Sequence, residues 1–182
     1  MLELFSNDLI KEKYGLIMKK TNAFTIIELV FVIVVLGILS AIALPRFAST
    51  GTQARIASGK ADVMAIRSAI ISERQTRLIK GDSSYINRLD NGVTANAAGK
   101  KLFDSNTTLS STSPRLLSMP IISGEGDGHW IKTGNNTYAY KISGSSITFT
   151  YYPEDATVDG VFHPAGEFNC DHSNTVCKKL TE

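Results

Sequence analysis

FTIIELVFVIVVLGILSAIAL, residues 24–44, is the stretch that decides the fold of this chain, and Glu28 is its only charged residue. At about 1.5 Å of rise per residue, a helix of this length reaches roughly 30 Å, the thickness of the hydrocarbon core of a bilayer. A carboxylate in such a run is costly in hydrocarbon and is a functional candidate by default. The segment therefore predicts a membrane helix in which Glu28 has a specific task.

The rest of the chain has an ordinary soluble composition. With 182 residues and a formal net charge of +2, there is room for one domain beside the apolar segment, and no overall basic character points to direct contact with nucleic acid. The sequence contains no glycine-rich phosphate loop, no GxSxG or HExxH motif and no paired Cys and His nucleophile. We therefore expect a protein that is not an enzyme, with no catalytic residues, no cofactor and no metal ligands.

The residues around the apolar segment allow more than one interpretation. Lys19 and Lys20 precede it, and the positive-inside rule places them in the cytoplasm and the residues after Pro45 outside. One interpretation is a plain signal anchor. Another is a secretory signal cleaved after Ala41-Ile42-Ala43, which fits the small-x-small rule. Either would leave an anchored or secreted binding domain that does not polymerise.

A third interpretation depends on a resemblance carried by residues 18–47. The sequence Ala23-Phe24-Thr25-Ile26-Ile27-Glu28-Leu29 resembles the prepilin-type signal of the type IV pilin and type II secretion pseudopilin family. The resemblance implies that prepilin peptidase cuts between Ala23 and Phe24, and that Phe24 is then N-methylated. Glu28 becomes the fifth mature residue, and Pro45 falls where the family has a helix-kinking proline. Position 23 is Ala where the family usually has Gly.

The same resemblance predicts the fate of the first residues. Residues 1–23 are expected to form a leader peptide that is removed. Met18-Lys19-Lys20 looks like a start of its own, with a positive region directly before an apolar run. Residues 1–17 are therefore expected to be either an upstream mis-start or a part of the leader.

Electrostatics gives Glu28 a task in such a protein. Cleavage would free the α-amine of Phe24, whose cation can pair with the Glu28 carboxylate of a neighbouring subunit. Leaving one member of such a pair buried without its partner costs about 3–5 kcal/mol, so the pair would fix the register between subunits. The alternative is that Glu28 reaches the membrane interface as an ordinary anchor residue.

The resemblance implies a structural subunit of a type IV pilus-like filament that serves adhesion, motility or DNA uptake. A type II secretion pseudopilin is the alternative, because its N-terminal signal is the same. The expected partners are further copies of the chain, minor pilins, prepilin peptidase and the assembly ATPase with its platform protein. The expected location is the bacterial inner membrane, crossed once with the C-terminal domain in the periplasm, and then an extracellular or periplasmic filament.

The fold class expected for the chain is α+β, with a long N-terminal helix packed on a small antiparallel sheet. Residues 24–44 would be the transmembrane and polymerisation helix, residues 45–80 its amphipathic continuation ending near Gly81, and residues 81–182 a globular head. The continuation has one apolar face of 3.6 periodicity, formed by Ile56, Val63, Ile66 and Ile70.

Alternating residues from Trp130 to Tyr152 predict a three-stranded antiparallel meander whose aromatic side chains belong to the core. We expect the tail, residues 153–182, to be irregular. Lys60, Arg67 and Arg74 repeat every seven residues on the helix, and a solvated face explains them better than a ladder to neighbouring subunits or contact with DNA.

Cys170 and Cys177 are the entire thiol complement of the chain. On an exported segment, two cysteines near the end of the chain most simply form one disulfide. A structural zinc site needs four ligands, and no paired CxxC or HxxxH spacing supplies them. A disulfide-bounded C-terminal loop is also a common feature of the family that the N-terminal segment resembles.

Overall fold

The computed structural model describes residues 24–105 and 115–182. The expected leader, including Ala23, lies outside the described residues. The helices are α1 (Ile26–Ile79) and α2 (Thr175–Thr181). The strands are β1 (Lys101–Leu102), β2 (Ile121–Ile122), β3 (Trp130–Lys132), β4 (Thr137–Ile142), β5 (Ser145–Tyr152), β6 (Ala156–Val158), β7 (Val161–His163) and β8 (Glu167–Cys170). The predicted α+β class, with a long N-terminal helix and antiparallel sheets, is confirmed.

The chain divides into two compact units, Met1–Pro45 and Arg46–Glu182. Helix α1 contributes residues to both units, and its backbone is helical through position 45. The kink expected at Pro45 stays a prediction.

Local hydrogen bonds explain where α1 ends. The N–H of Gly81 donates to the carbonyl of Leu78 at 3.0 Å, and the N–H of Asp82 donates to the carbonyl of Arg77 at 3.0 Å. This pair of bonds is a Schellman motif, which requires a left-handed residue just after the helix, and Gly81 has φ of +81°. The predicted stop at Gly81 is confirmed.

The main sheet is antiparallel, with strand order β3-β4-β5-β8. The predicted meander is confirmed for its first three strands. The prediction of an irregular tail is wrong, because residues 153–182 supply the fourth strand, the separate β6–β7 hairpin and helix α2. Strand β8 has Phe168 as its one large apolar residue, paired opposite Tyr151, so its sequence shows little alternation and its pairing with β5 defines it.

The core of the second unit lies between the later part of α1 and one face of this sheet. Val63, Ile66 and Ile70 are buried there, and Ile56 packs at the edge, as their spacing predicts. The facing side chains are mostly aromatic and fully buried: Trp130, Tyr138, Tyr140, Phe149 and Phe168. Burial of this face is the main source of stability of the unit.

A glycine allows the close approach of α1 to the sheet. A Cβ atom built on Gly59 would lie 2.5 Å from Cε1 of Tyr140 and 2.8 Å from Cδ2 of Leu180. The hydroxyl of Tyr140 donates to the carbonyl of Arg55 at 2.6 Å, one turn earlier on the helix. Gly59 is therefore a packing position, where the aromatic ring occupies the space of a side chain.

Candidate assembly segment and C-terminal disulfide region

The first described segment presents apolar side chains in every direction. Phe24 is 75% exposed, Ile26 is 84% exposed and Leu44 is 69% exposed. Residues Ile26–Leu44 are long and apolar enough to cross a membrane, by length and composition alone. An apolar surface of this extent marks a site that lipid or protein covers.

Glu28 lies in the first turn of α1 and is exposed. Its backbone N–H donates to the Thr25 hydroxyl at 3.3 Å, and Thr-x-x-Glu is the spacing of a capping box. A carboxylate in this turn is also favoured by the helix dipole. Among the residues that the structure describes, the Glu28 carboxylate has no ion-pair partner. Sequence reasoning had missed the capping spacing, which is visible in the sequence itself.

The predicted processing and assembly residues lie on one continuous stretch of chain. Phe24 is the first described residue and precedes the helix, while Glu28 is inside its first turn. Pro45 is a helical position at the boundary between the two units. Cleavage between Ala23 and Phe24, methylation of Phe24 and the assembly roles of Glu28 and Pro45 stay predictions.

The predicted disulfide is confirmed. Cys170 and Cys177 are bonded, with their Cα atoms 6.0 Å apart. Cys170 ends β8 and Cys177 lies in α2, so the bond ties the last helix to the sheet. Asn174 caps α2 by accepting from the N–H of Val176 at 2.8 Å. The resulting loop and helix form a fixed surface feature at the end of the chain.

A buried polar network ties the segment around Asp90 to the main sheet, and the sequence reasoning did not anticipate it. Asp90 accepts hydrogen bonds from Lys132 Nζ at 2.9 Å, from the Tyr138 hydroxyl at 2.6 Å and from the N–H of Val93 at 2.7 Å. Burial raises the pKa of Asp90, but the bonds from Lys132 and Tyr138 outweigh it and hold that pKa below its ordinary value. One signal was available, since alternation places Lys132 on the same face as the buried Trp130.

The polar ends of the other core aromatics are also satisfied within the unit. Trp130 Nε1 donates to Asp62 Oδ2 at 2.9 Å, and the Tyr151 hydroxyl donates to the carbonyl of Ile86 at 2.7 Å. Burial raises the pKa of Asp62, and the bond from Trp130 offsets part of that effect. The prediction that Trp130 and the tyrosines belong to the core is confirmed for Trp130, Tyr138, Tyr140 and Tyr151. It is wrong for Tyr152, which is half-buried on the other face of the sheet, where its ring stacks on His163.

Two arginines of the basic repeat on α1 contact other parts of the protein, whereas the sequence predicted a solvated face. Arg67 donates to the carbonyl of Phe168 at 3.0 Å and to Oδ1 of Asn169 at 3.1 Å, so it holds strand β8. The Arg74 guanidinium lies 4.6 Å from the ring centroid of Tyr85 and also donates to the carbonyl of Ser84. The solvated-face interpretation is therefore wrong for these two arginines. The partners of Arg67 lie on the distant strand β8, and those of Arg74 lie just beyond the end of α1.

The described residues offer no arrangement typical of a metal centre. Within residues 24–105 and 115–182, no group of three or more His, Cys, Asp or Glu side chains is placed to hold a metal ion.

Comparison with known proteins agrees with the N-terminal segment. Residues 18–44 match the family described as the prokaryotic N-terminal methylation motif. The chain is 50% identical over 50 residues to the type IV narrow pilus major component of Thermus thermophilus, covering 28% of this chain and 43% of that protein. It is 38% identical over 52 residues to the type II secretion system core protein G of Pseudomonas aeruginosa, covering 29% of this chain and 37% of that protein. No solved structure matches the chain.

The chain thus spans about two fifths of the length of the curated relatives it matches, 43% and 37% respectively. The residues that match the family, 18–44, include Ala23, Phe24 and Glu28. The resemblance to the pilin and pseudopilin family is confirmed.

Proposed function

We propose that this chain, whose N-terminal segment is that of the type IV pilin and type II secretion pseudopilin family, is a structural subunit of a type IV pilus-like filament. The observation that carries the proposal is the exposed apolar segment with a single carboxylate, inside the matched methylation motif. The role is mechanical, and no catalytic step is assigned to the chain.

Processing is the first step of the proposed function. Prepilin peptidase cuts between Ala23 and Phe24 and removes residues 1–23, and the new amine of Phe24 is methylated. Before the cut, Lys19 and Lys20 hold the N-terminal end of the segment in the cytoplasm. The C-terminal unit then lies in the periplasm, an oxidising compartment in which the Cys170–Cys177 disulfide is stable.

Assembly follows from the surface of residues 24–44, the proposed polymerisation helix. Apolar side chains on all sides of a helix are covered by lipid before assembly and by neighbouring helices after it. The amine of Phe24 pairs with Glu28 of the next subunit, and this pair fixes the axial register that apolar packing alone leaves loose. Pro45 removes one helical hydrogen bond and loosens the helix just beyond this segment.

The other parts of the assembly machine come from elsewhere. The chain has no nucleotide-binding motif, so an assembly ATPase and its platform protein supply the work of extraction from the inner membrane. Minor pilins are further expected partners. Residues 45–80 carry the head, residues 81–182, on the outside of the growing filament.

Replacement of Glu28 tests this function. In cells that express the full chain, Glu28→Gln is expected to abolish sheared filaments while the membrane pool of subunit remains. Glu125→Gln is the matched control, because Glu125 is an exposed carboxylate on a turn of the second unit, and it should assemble normally. Normal filament yield from Glu28→Gln would overturn the proposed role of the segment.

A type II secretion pseudopilin is the second candidate, favoured by the similarity to core protein G of Pseudomonas aeruginosa. Deletion of the gene separates the two functions. Loss of surface filaments with normal protein secretion supports the pilus, whereas loss of secretion with unchanged surface filaments supports the pseudopilus.

A further inference from the structure

The outer face of the main sheet carries an open groove of about 640 Å³. Thr148 and Thr150 of β5 form part of its floor, and the β6–β7 hairpin and the disulfide loop also line it. Because residues alternate between the faces of a strand, this floor lies opposite the face that α1 covers. We call it the hairpin groove.

The β6–β7 hairpin presents apolar side chains beside the groove. Val158 is 44% exposed, Val161 is 56% exposed and Phe162 is 62% exposed. The hairpin is held in place by His163, whose ring stacks on Tyr152 with centroids 4.2 Å apart. The apolar patch is therefore a fixed part of the unit.

The hairpin groove is acidic. Its lining includes the carboxylates of Asp159, Glu167 and Asp171 and the imidazoles of His163 and His172, and no lysine or arginine of the described residues is part of it. Glu167 Oε2 lies 2.7 Å from Nδ1 of His163, while Asp159 and Asp171 are exposed. Arg67 binds the groove residue Asn169 without being part of the lining. A surface with this composition suits a partner that is both basic and apolar.

A second surface of the same unit has the opposite chemistry. A shallow depression of about 550 Å³ between α1 and α2 is lined by Gln53, Ile56, Ala57, Lys60, Lys178, Lys179 and Glu182. Its apolar floor lies among three lysines and one carboxylate. Within the described part of the chain, none of these lysines forms an ion pair. We call this surface the lysine patch.

We propose that the hairpin groove of one subunit docks on the lysine patch of a second copy of this chain. Both surfaces have exposed apolar atoms. The groove carries carboxylates and the patch carries lysines, so the two surfaces are complementary in charge. The two surfaces are different parts of one chain, so the contact is heterologous, and a heterologous contact that does not close propagates into an open helical array. The proposal rests on the filament function and names the head surfaces that meet in it.

Thiol cross-linking tests this contact in the full chain. Cys170 and Cys177 are bonded to each other, and the described chain has no free cysteine, so a bifunctional maleimide reacts with introduced thiols. The double variant Ala57→Cys with Val161→Cys places one thiol on each surface. It should give a ladder of covalent oligomers, whereas each single variant should remain monomeric.

Two further variants control the geometry and the charge. Ala57→Cys with Glu125→Cys moves one thiol out of the groove and should give no ladder. In the double-cysteine background, Lys178→Glu with Lys179→Glu should abolish the ladder, and Lys178→Arg with Lys179→Arg should retain it. A covalent dimer from Val161→Cys alone would indicate a symmetric contact and overturn the proposal.

The outcomes separate this contact from the filament function. Filaments without a ladder would overturn the groove-to-patch contact and leave the filament in place. A ladder in membrane-bound protein that never forms filaments would support the contact and overturn the filament. Neither ladder nor filaments would overturn both. Insensitivity of the ladder to the lysine-to-glutamate changes would overturn the electrostatic basis of the contact.

Discussion

The two parts of α1 show how one helix can need two kinds of partner. From Ile26 to Leu44 the side chains are exposed on every side. Between Arg46 and Ile79, Val63, Ile66 and Ile70 are buried against an aromatic sheet. The later part finds its partner within the chain. The first part carries apolar area that lipid or other subunits must cover, and this difference is the physical basis of the proposed assembly.

The carboxylates of the two parts of the chain differ in the same way. Glu28 has no ion-pair partner among the described residues, whereas Asp90 in the second unit is bonded to Lys132 and Tyr138. An unpaired carboxylate is tolerated on a segment that awaits a partner, and it is costly inside a finished core. The following predictions test this contrast, beginning with the largest effect.

Removal of the Lys132 ammonium should leave Asp90 in the unpaired state that Glu28 has in a single subunit. We expect Lys132→Met to lower the free energy of unfolding of the second unit by about 3–5 kcal/mol, because a buried carboxylate loses its counter-ion. Chemical denaturation measures the loss. Adding Asp90→Asn should recover part of it, and Lys101→Met, at an exposed lysine, should have no effect. Equal stability of Lys132→Met and the parent would contradict the network.

Matched isoleucines test the contrast in packing. Ile66 is fully buried and Ile33 is 58% exposed. Ile66→Ala should lower the free energy of unfolding of the second unit by about 2–5 kcal/mol, since it opens a cavity in the core. Ile33→Ala should leave that quantity unchanged in detergent. Equal losses from both variants would show that the two parts of the helix do not differ in the way described.

Alanine substitutions at two glycines of α1 should have a smaller effect on stability. An added Cβ at Gly59 meets the Tyr140 ring and Leu180, whereas at Gly37 nothing lies within 4 Å. We expect Gly59→Ala to destabilise the second unit by about 1–3 kcal/mol through overpacking. Gly37→Ala should be neutral or should favour the helix by up to about 1 kcal/mol. Thermal unfolding in detergent compares them, and a neutral Gly59→Ala would contradict the close approach.

Replacement of Asp62 should give the smallest effect, which is a change in how the stability of the second unit depends on pH. The folded-state pKa of Asp62 is raised by burial, so the folded unit holds this proton more tightly than the unfolded chain does. Its contribution to stability is therefore present at low pH and is lost as the pH rises from about 4 through the raised pKa. Asp62→Asn, which keeps an acceptor for Trp130, should flatten this part of the profile and change stability at neutral pH by less than about 1 kcal/mol.

Thermal midpoints measured across this pH range check the prediction. Asp90 has the opposite sign, because its lowered pKa makes its contribution present above pH 3.8 and lost below it. A thermal midpoint that depends more steeply on pH in Asp62→Asn than in the parent would contradict the raised pKa of Asp62.

The sequence was sufficient where the signal is local. The first segment, the Gly81 stop, the face of Val63 and Ile66, and the Cys170–Cys177 bond each depend on spacing within a short stretch of chain. The strands from Trp130 to Tyr152 were predictable for the same reason, because their alternation is regular over many residues.

The sequence was insufficient where partners are far apart. Strand β8 has one large apolar residue, and it forms because β5 offers an edge and Arg67 binds the Phe168 carbonyl. Alternation places Lys132 on the buried face, but the sequence does not identify Asp90, 42 residues away, as its counter-ion. Gly59 reads as a weak point of the helix, and the Tyr140 ring explains it. Each of these features is a tertiary contact that no local period encodes.

The central claim is that residues 24–44 form a processed polymerisation segment, and the mature N-terminus tests it most directly. We would determine the intact mass and the N-terminal peptide of the protein from its own membrane and filament fractions. The account predicts a chain that begins at Phe24 and carries one added methyl group on its amine. A chain that begins at Leu44, without Glu28 and the apolar segment, or a chain that retains its leader, would contradict it.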